Sequence, residues 1–282
     1  MRNPVSVTLG LLLAALAFPA ALRAQGAKPP LTAEQQADLL KLQKLAQNPV
    51  GNLISFPMQL NTNYGGSGGT QNTLNIQPVI PFHLDKKWNL ITRTIFPLVW
   101  QPAAGTNNAY YSGFGSTSFT AFLSPANPGK LIWGGGLVLN FPSTSPQLSP
   151  AGGSRNWSVG PSVVVLKMPG HWVVGLLANQ TWSFAGPSDA PYWSVFYSQI
   201  ILNYNLQKGW FLTSAPIITA NWTASSSDVW TVPIGAGVGR LVKLGGKLPV
   251  NMSLSAYGYA VKPTGGPEWT LRTQMAVLLP KE

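Results

Sequence analysis

The sequence predicts an all-β fold: a closed antiparallel transmembrane β-barrel of about twelve strands, preceded by one short periplasmic helix. Three observations predict it. Tryptophan occurs eleven times, nearly always at the beginning or end of a segment that alternates apolar with polar or small residues. Beyond residue 24 no run approaches the roughly 18 apolar residues of a membrane helix, although 45% of the chain is hydrophobic and only 9% is charged. The connections alternate between tight turns and longer Gly/Ser/Asn/Pro loops.

Lipid supplies no hydrogen bonds, so a spanning chain without an apolar helix must pair every backbone N–H and C=O in a closed sheet. Segments 88–100, 172–182 and 210–222 each begin and end with Trp. At about 3.3 Å per residue and a tilt near 40°, a strand of about eleven residues climbs about 28 Å, enough for an outer-membrane apolar band. Indole settles at the headgroup boundary because its ring is apolar and its N–H needs a partner. The expected aromatic girdle is therefore Trp88, Trp100, Trp133, Trp157, Trp172, Trp182, Trp193, Trp210, Trp222, Trp230 and Trp269.

In chain order, residues 1–24 read as a cleaved secretory signal. Arg2 starts it, Val5 to Phe18 is apolar, and Ala20, Ala21 and Ala24 are the small residues of a cleavage region. Residues 25–50 are a periplasmic segment containing a helix over 32–47. Thr32 is its N-cap, with Gln35 three residues later. Ala33, Ala37, Leu40 and Leu45 form its apolar face, and Asn48-Pro49 ends it. Packing of that face on the periplasmic rim is expected.

Residues 51–282 are the barrel. Strands are expected at 53–63, 73–83, 88–100, 112–124, 130–141, 157–167, 171–184, 192–206, 210–222, 230–242, 247–261 and 268–279. Period-two alternation sends apolar residues to lipid and polar or small ones to the lumen. Ile91 and Ile95 break the pattern by sharing a face with Arg93. Tight turns follow even-numbered strands, whereas 64–72, 101–111, 142–156, 185–191, 223–229 and 262–267 form longer loops. This parity puts both chain ends in the periplasm. Pro57, Pro78, Pro97, Pro161, Pro216 and Pro233 each remove a ladder donor, so bulges or kinks are expected there. Gly134-Gly135-Gly136 and Gly235, Gly237 and Gly239 indicate bends or crowded lumen positions.

Several phrases carry a resemblance: Asn48-Pro49-Val50, Gln77-Pro78-Val79-Ile80-Pro81, Arg93-Thr94-Ile95-Phe96-Pro97, Asn179-Gln180-Thr181-Trp182-Ser183, Pro216-Ile217-Ile218-Thr219-Ala220-Asn221-Trp222 and Trp230-Thr231-Val232-Pro233. In these the chain resembles, over about 48–281, the bacterial outer-membrane β-barrel "transporter" family, sometimes labelled neuromedin U. That family is similar to the one named for the MetA pathway of phenol degradation. The resemblance implies an outer-membrane barrel moving small, often apolar or aromatic, compounds, and it supplies no catalytic residues. Two departures stand out. Ser116 follows Gly113-Phe114-Gly115 where relatives carry Asp, and Leu279-Pro280-Lys281 lacks the aromatic commonly found near the end.

The expected lumen-lining residues are Gln59, Asn61, Asn75, Gln77, Arg93, Asn179, Thr181, Gln199, Asn203, Asn221, Asn251, Tyr257, Arg272 and Gln274, with Thr219 and Ser253 beside them. Arg93 and Arg272 either hold an internal hydrogen-bond network or bias a pore toward anions. His83 and His171 sit beside turns without an acidic pattern, so neither a metal site nor a Ser-His-carboxylate lipase is indicated. No cofactor is expected. Net charge is +11, with two charges from Arg2 and Arg23 in the leader. The lysines stand one or two per turn, facing water and anionic headgroups rather than nucleic acid. Cysteine is absent, which removes disulfide scaffolds. The expected function is passive passage of small molecules through the outer membrane. Lipid, solutes and the barrel-assembly machinery are the expected partners, and a non-conducting structural or interaction barrel with a filled or plugged lumen is the alternative.

Overall fold

The computed structural model describes residues 31–103, 110–148 and 155–279. The expected leader, 1–24, lies outside them, as do the loop tips 104–109 and 149–154. The chain divides after Gln36 into two compact units. The second contains everything from Ala37 onward, and apart from the Thr32–Gln35 cap of the helix the contacts below belong to it.

Helix α1, Ala33–Ala46, starts with the anticipated reciprocal cap: the Gln35 amide donates to Thr32 Oγ1 at 3.2 Å and the Thr32 amide to Gln35 Oε1 at 3.0 Å. Twelve antiparallel strands follow: β1 (Ile54–Gly66), β2 (Gly69–Ile76, resumed at Val79–His83), β3 (Trp88–Pro102), β4 (Tyr110–Phe114, resumed at Thr117–Pro125), β5 (Ile132–Phe141), β6 (Trp157–Lys167), β7 (Trp172–Ala185), β8 (Ser194–Asn205), β9 (Trp210–Ser214, resumed at Ile217–Asn221), β10 (Trp230–Leu244), β11 (Leu248–Val261) and β12 (Trp269–Leu279). Each pairs with its sequence neighbour, and β1 pairs with β12 from Ile54↔Leu279 to Tyr64↔Trp269, closing the sheet. No helix among the described residues is long and apolar enough to cross a membrane.

The prolines account for the interruptions. Gln77-Pro78 parts β2 opposite Pro57, with the Gln77 amide donating to the Pro57 carbonyl at 2.8 Å. Gly115, between the halves of β4, donates to the Pro97 carbonyl at 2.9 Å. Ala215-Pro216 parts β9, and the register slips between Val232 and Pro233. As a result no ladder pair joins β9 to β10 between Thr213↔Gly237 and Thr219↔Thr231. Glycine permits the close packing beside it: a Cβ on Gly239 would strike the Phe211 ring, and Phe211 is buried.

One expected loop is a correction. Residues 64–72 do not form a long loop, because β1 and β2 continue to a tight hairpin, Gly66↔Gly69, made possible by left-handed Gly65 (φ 77°) and Gly69 (φ 106°). The helix face is a second correction. Leu39, Leu42, Leu45 and Ala46, rather than Ala33, Ala37 and Leu40, pack on Leu53, Leu241, Ala276 and Leu278. The true stripe has the i, i+3, i+4, i+7 spacing, with buried Gln43 inside it.

Candidate functional site: the barrel lumen

Strand β6 shows how the wall works. Exposed and buried residues alternate along its whole length, so Trp157, Val159, Pro161, Val163 and Val165 face out and Ser158, Gly160, Ser162, Val164 and Leu166 face in. Directly paired residues share a face, and the register carries this division around the barrel. Asn61, Arg272 and Ser255 align across β1, β12 and β11, as do Gln59, Gln274 and Ser253 with Asn75 beyond β1. Gln77 is buried, and Arg93 pairs with Thr120 on the inner face. Asn179, Thr181, Gln199 and Asn203 face Tyr197, Val195, Leu177 and Val173. Asn221 and Thr219 pair with Val195 and Tyr197, Asn251 with buried Leu241, and Tyr257 with Thr270. The structure therefore sets each of these side chains on the inner face.

Halfway through, these walls leave a cavity of about 210 Å³. Arg93, Ser118, Thr120, Asn140, Asn179 and Thr181 form its polar wall; Ile95, Val195, Tyr197 and Trp193 add an apolar and aromatic side; Phe122, Val138 and Leu177 form its floor. Ser118, Thr120, Asn140 and Tyr197 were not singled out from the sequence, although strand parity could have found them.

The two arginines play different parts. Arg272 is 8% exposed and held by three contacts: Nε donates to Asn61 Oδ1 at 2.9 Å, Nη1 to the Ala215 carbonyl at 2.8 Å, and the guanidinium lies 4.7 Å from the Tyr257 ring centroid. Arg93 donates from Nη2 to Gln77 Oε1 at 2.6 Å and otherwise faces the cavity. Among the described residues the ion pairs are Arg155–Asp189, at 2.8 Å, and Lys262–Glu268, both in or beside loops, so no carboxylate pairs with either lumen arginine.

Below the floor the lumen is filled. Val50 inserts between Ile91, Phe122, Val164 and Leu177, all nearly free of solvent. This explains why Ile91 faces inward with Arg93: near the helix the lumen is a hydrophobic core. Polar contacts fix α1 over this end. Gln43 Nε2 donates to the Trp210 carbonyl at 2.9 Å, and Lys44 Nζ donates to the Met168 carbonyl at 3.1 Å. Gln47 and Asn205 bond each other through both amides, at 2.9 and 3.1 Å. His171 Nδ1 lies 2.8 Å from the Asn205 carbonyl, and His83 Nε2 lies 3.2 Å from Asn52 Nδ2. No cluster of metal-ligating side chains occurs among the described residues.

The exterior carries Trp133, Trp157, Trp172, Trp182, Trp210, Trp222, Trp230 and Trp269 as exposed indoles. Trp88 packs edge-on against Trp133, with Trp172 and Trp210 at the same end of the barrel. Trp222 meets Trp230 edge-on, and Trp269 stacks on Tyr64 at 4.3 Å, at the other end with Trp100. Between them Val163, Leu176, Leu212, Ile234, Val238 and Leu254 are exposed. Trp193 is the correction: it lines the lumen cavity. It shares parity with Gln199 and Asn203, and the amide-to-hydroxyl bond to Ser183 at 2.8 Å holds its backbone in line. A closed antiparallel barrel with such an exterior is the architecture of an outer-membrane protein.

No protein-family profile and no curated protein matches the chain. Among solved structures, an outer membrane channel from Pseudomonas putida F1 matches with a TM-score of 0.59 and 17% identity, over 80% of this chain and 94% of that one. The NanC porin matches with a TM-score of 0.50 and 8% identity, over 79% of this chain and all (100%) of that one. At these identities the likeness is one of fold.

Proposed function

We propose that the chain is an outer-membrane channel for passive passage of small molecules and that the cavity beside Arg93 selects them. It belongs on this reading with the outer-membrane β-barrel transporter family that its sequence resembles. Both the beginning of β1 and the end of β12 lie at the helix end together with the short turns that follow the even-numbered strands, which supports a periplasmic position for that end, the tight β1–β2 hairpin being the exception at the other end. The barrel-assembly machinery inserts the chain.

The observation that carries the reading is the cavity of about 210 Å³ with an apolar floor and a polar wall containing one half-engaged arginine. A dry cavity of about 150 Å³ holds benzene, so this one suits a single ring with a small substituent. The ring would lie on Phe122, Val138 and Leu177, and a carboxylate or similar anionic group would meet Arg93. Passage to the periplasm requires Val50 and the α1 segment to move aside. Planar-bilayer recording of the refolded mature chain, with competition by benzoate and by toluene, tests this: conductance blocked by benzoate supports the reading, and a chain that conducts nothing with or without residues 25–50 sinks it.

The Val50 cluster favours one second reading, a non-conducting barrel sealed at the helix end. Liposome swelling separates them, because a barrel sealed by the Val50 segment is impermeable with residues 25–50 in place and gains permeability on their truncation, whereas a channel passes solutes with the segment present.

A further inference from the structure

Arg240 is a cation on the wrong side of the wall. It sits inside β10, and its direct cross-strand partners are Trp210 and Met252, the latter followed by exposed Met275. Val238, two residues along, is 44% exposed, whereas the intervening Gly239 and the following Leu241 are buried. The side chain therefore leaves the outer face, at the level where Trp210 marks the edge of the apolar band. Arginine on a lipid-facing surface is unfavourable at depth and tolerated only toward the interface.

The neighbourhood orients this guanidinium without neutralising it. Its carbon lies 5.0 Å from the Trp210 ring centroid, and Nε donates to the Lys208 carbonyl at 3.4 Å. The ion pairs of the described residues, Arg155–Asp189 and Lys262–Glu268, do not include it. With Nε given to the Lys208 carbonyl and the guanidinium over the indole, the two Nη groups keep their donors, and this fork matches two oxygens of a phosphate. At the boundary of a bilayer the abundant anion is the headgroup phosphodiester, attached to acyl chains that can lie along exposed Val238 and Leu212.

We propose that Arg240 and Trp210 form a binding site for the phosphate of an anionic phospholipid in the leaflet at the helix end. The indole supports the guanidinium, the Nη pair binds the phosphate, and the apolar strand face takes the acyl chain. Because the Lys208 carbonyl and the Trp210 carbonyl that receives Gln43 lie in one turn, an occupied site would also brace the segment on which α1 rests.

The test is native mass spectrometry of the full folded chain, delipidated in non-ionic detergent and titrated with phosphatidylglycerol or with phosphatidylcholine of the same acyl chains. Phosphatidylglycerol should be retained at least about fivefold more than phosphatidylcholine, because both carry the phosphodiester but the trimethylammonium of the latter already compensates its charge, weakening the charge-assisted contact to Arg240. Arg240→Gln should abolish the preference, Arg240→Lys should keep part of it, and Lys130→Gln, in another turn, should leave it unchanged. Arg240→Lys carries the test if Arg240→Gln does not fold. Equal retention by Arg240→Gln and the parent, or an equal loss in Lys130→Gln, overturns the site. Displacement of the lipid by millimolar inorganic phosphate would show a free-phosphate site and overturn the lipid assignment.

Discussion

Arg272 donates from Nη1 to the Ala215 carbonyl at 2.8 Å, across the place where β9 has lost its ladder to β10. The Ala215 amide donates in turn to the Tyr257 hydroxyl at 3.1 Å. Pro216 has broken the strand, the freed backbone groups turn inward, and two side chains from β11 and β12, beyond β10, satisfy them. Replacing Arg272 with Ala leaves the Ala215 carbonyl without its donor and Asn61 Oδ1 with only the 3.4 Å bond from Gln59 Nε2. Hydrogen bonds to charged groups contribute about 1.5–3 kcal/mol each, so a loss of roughly 3 kcal/mol is expected and should appear as a lower urea midpoint in vesicles. Tyr257→Phe should cost about 1 kcal/mol. An unchanged midpoint in Arg272→Ala would show that the network is not what closes the wall.

Arg93 should behave in the opposite way. Its partner Gln77 is neutral, its other side faces the cavity, and it has no paired acid among the described residues. Under a salt gradient, Arg93→Gln is expected to shift the reversal potential toward cations, because the cavity then loses its fixed charge. The unfolding free energy should fall by about 1 kcal/mol, the difference between a hydrogen bond to a charged group and the neutral one that Gln can make in its place. An unchanged reversal potential removes Arg93 from selectivity.

If the chain is the channel proposed above, the helix contacts act as a gate that can be weakened in steps. Gln47 and Asn205 satisfy each other, and Asn205 is fully buried. Asn205→Ala should loosen residues 47–50 and raise the open fraction of the channel. A cycle with Gln47→Ala should be non-additive by about 1 kcal/mol or more, since the two amides share one interaction. Val50→Gly, which vacates the apolar socket, should raise it further. If none of these changes conductance while the 25–50 truncation does, the seal lies elsewhere in the segment.

Strand number and parity were legible because the sheet is closed and the lipid face must be apolar: β6 begins and ends where the 157–167 alternation does. The lumen was legible only where it is polar. Ile91, Phe122, Val164 and Leu177 look like lipid-facing residues in sequence, because nothing local says that Val50 will be delivered to them from over forty residues away. Trp193 was misread for the opposite reason. Its residue type suggested the girdle, while its position in the two-residue repeat with Gln199 already assigned it to the interior. The helix face was lost because Gln43 stands in the middle of the apolar stripe, and only the fold shows its amide reaching the Trp210 carbonyl. Arg272 and Arg93 were indistinguishable in sequence, since the prolines that create a need for one of them lie on other strands.

Asp228, in the turn before β10, accepts the Thr264 amide at 2.8 Å and the Thr264 hydroxyl at 2.9 Å through one oxygen, and the Ser225 hydroxyl at 3.1 Å through the other. It thereby ties loop 223–229 to loop 262–267. The Thr264 amide, then its hydroxyl, hold the carboxyl below the ordinary aspartate value, against a smaller opposing desolvation. A depressed folded pKa means that the tie contributes fully above the unfolded value of about 3.9 and is lost as pH falls through the lower folded value. Hydrogen exchange at the Thr264 amide should therefore be flat from neutral pH down to about 4, after correction for intrinsic rates, and lose protection below that. Asp228→Asn, which keeps the shape but gives up the charge, should lose protection several-fold at neutral pH and show no acid step. An acid step that persists in Asp228→Asn would assign the loop tie to a different carboxylate.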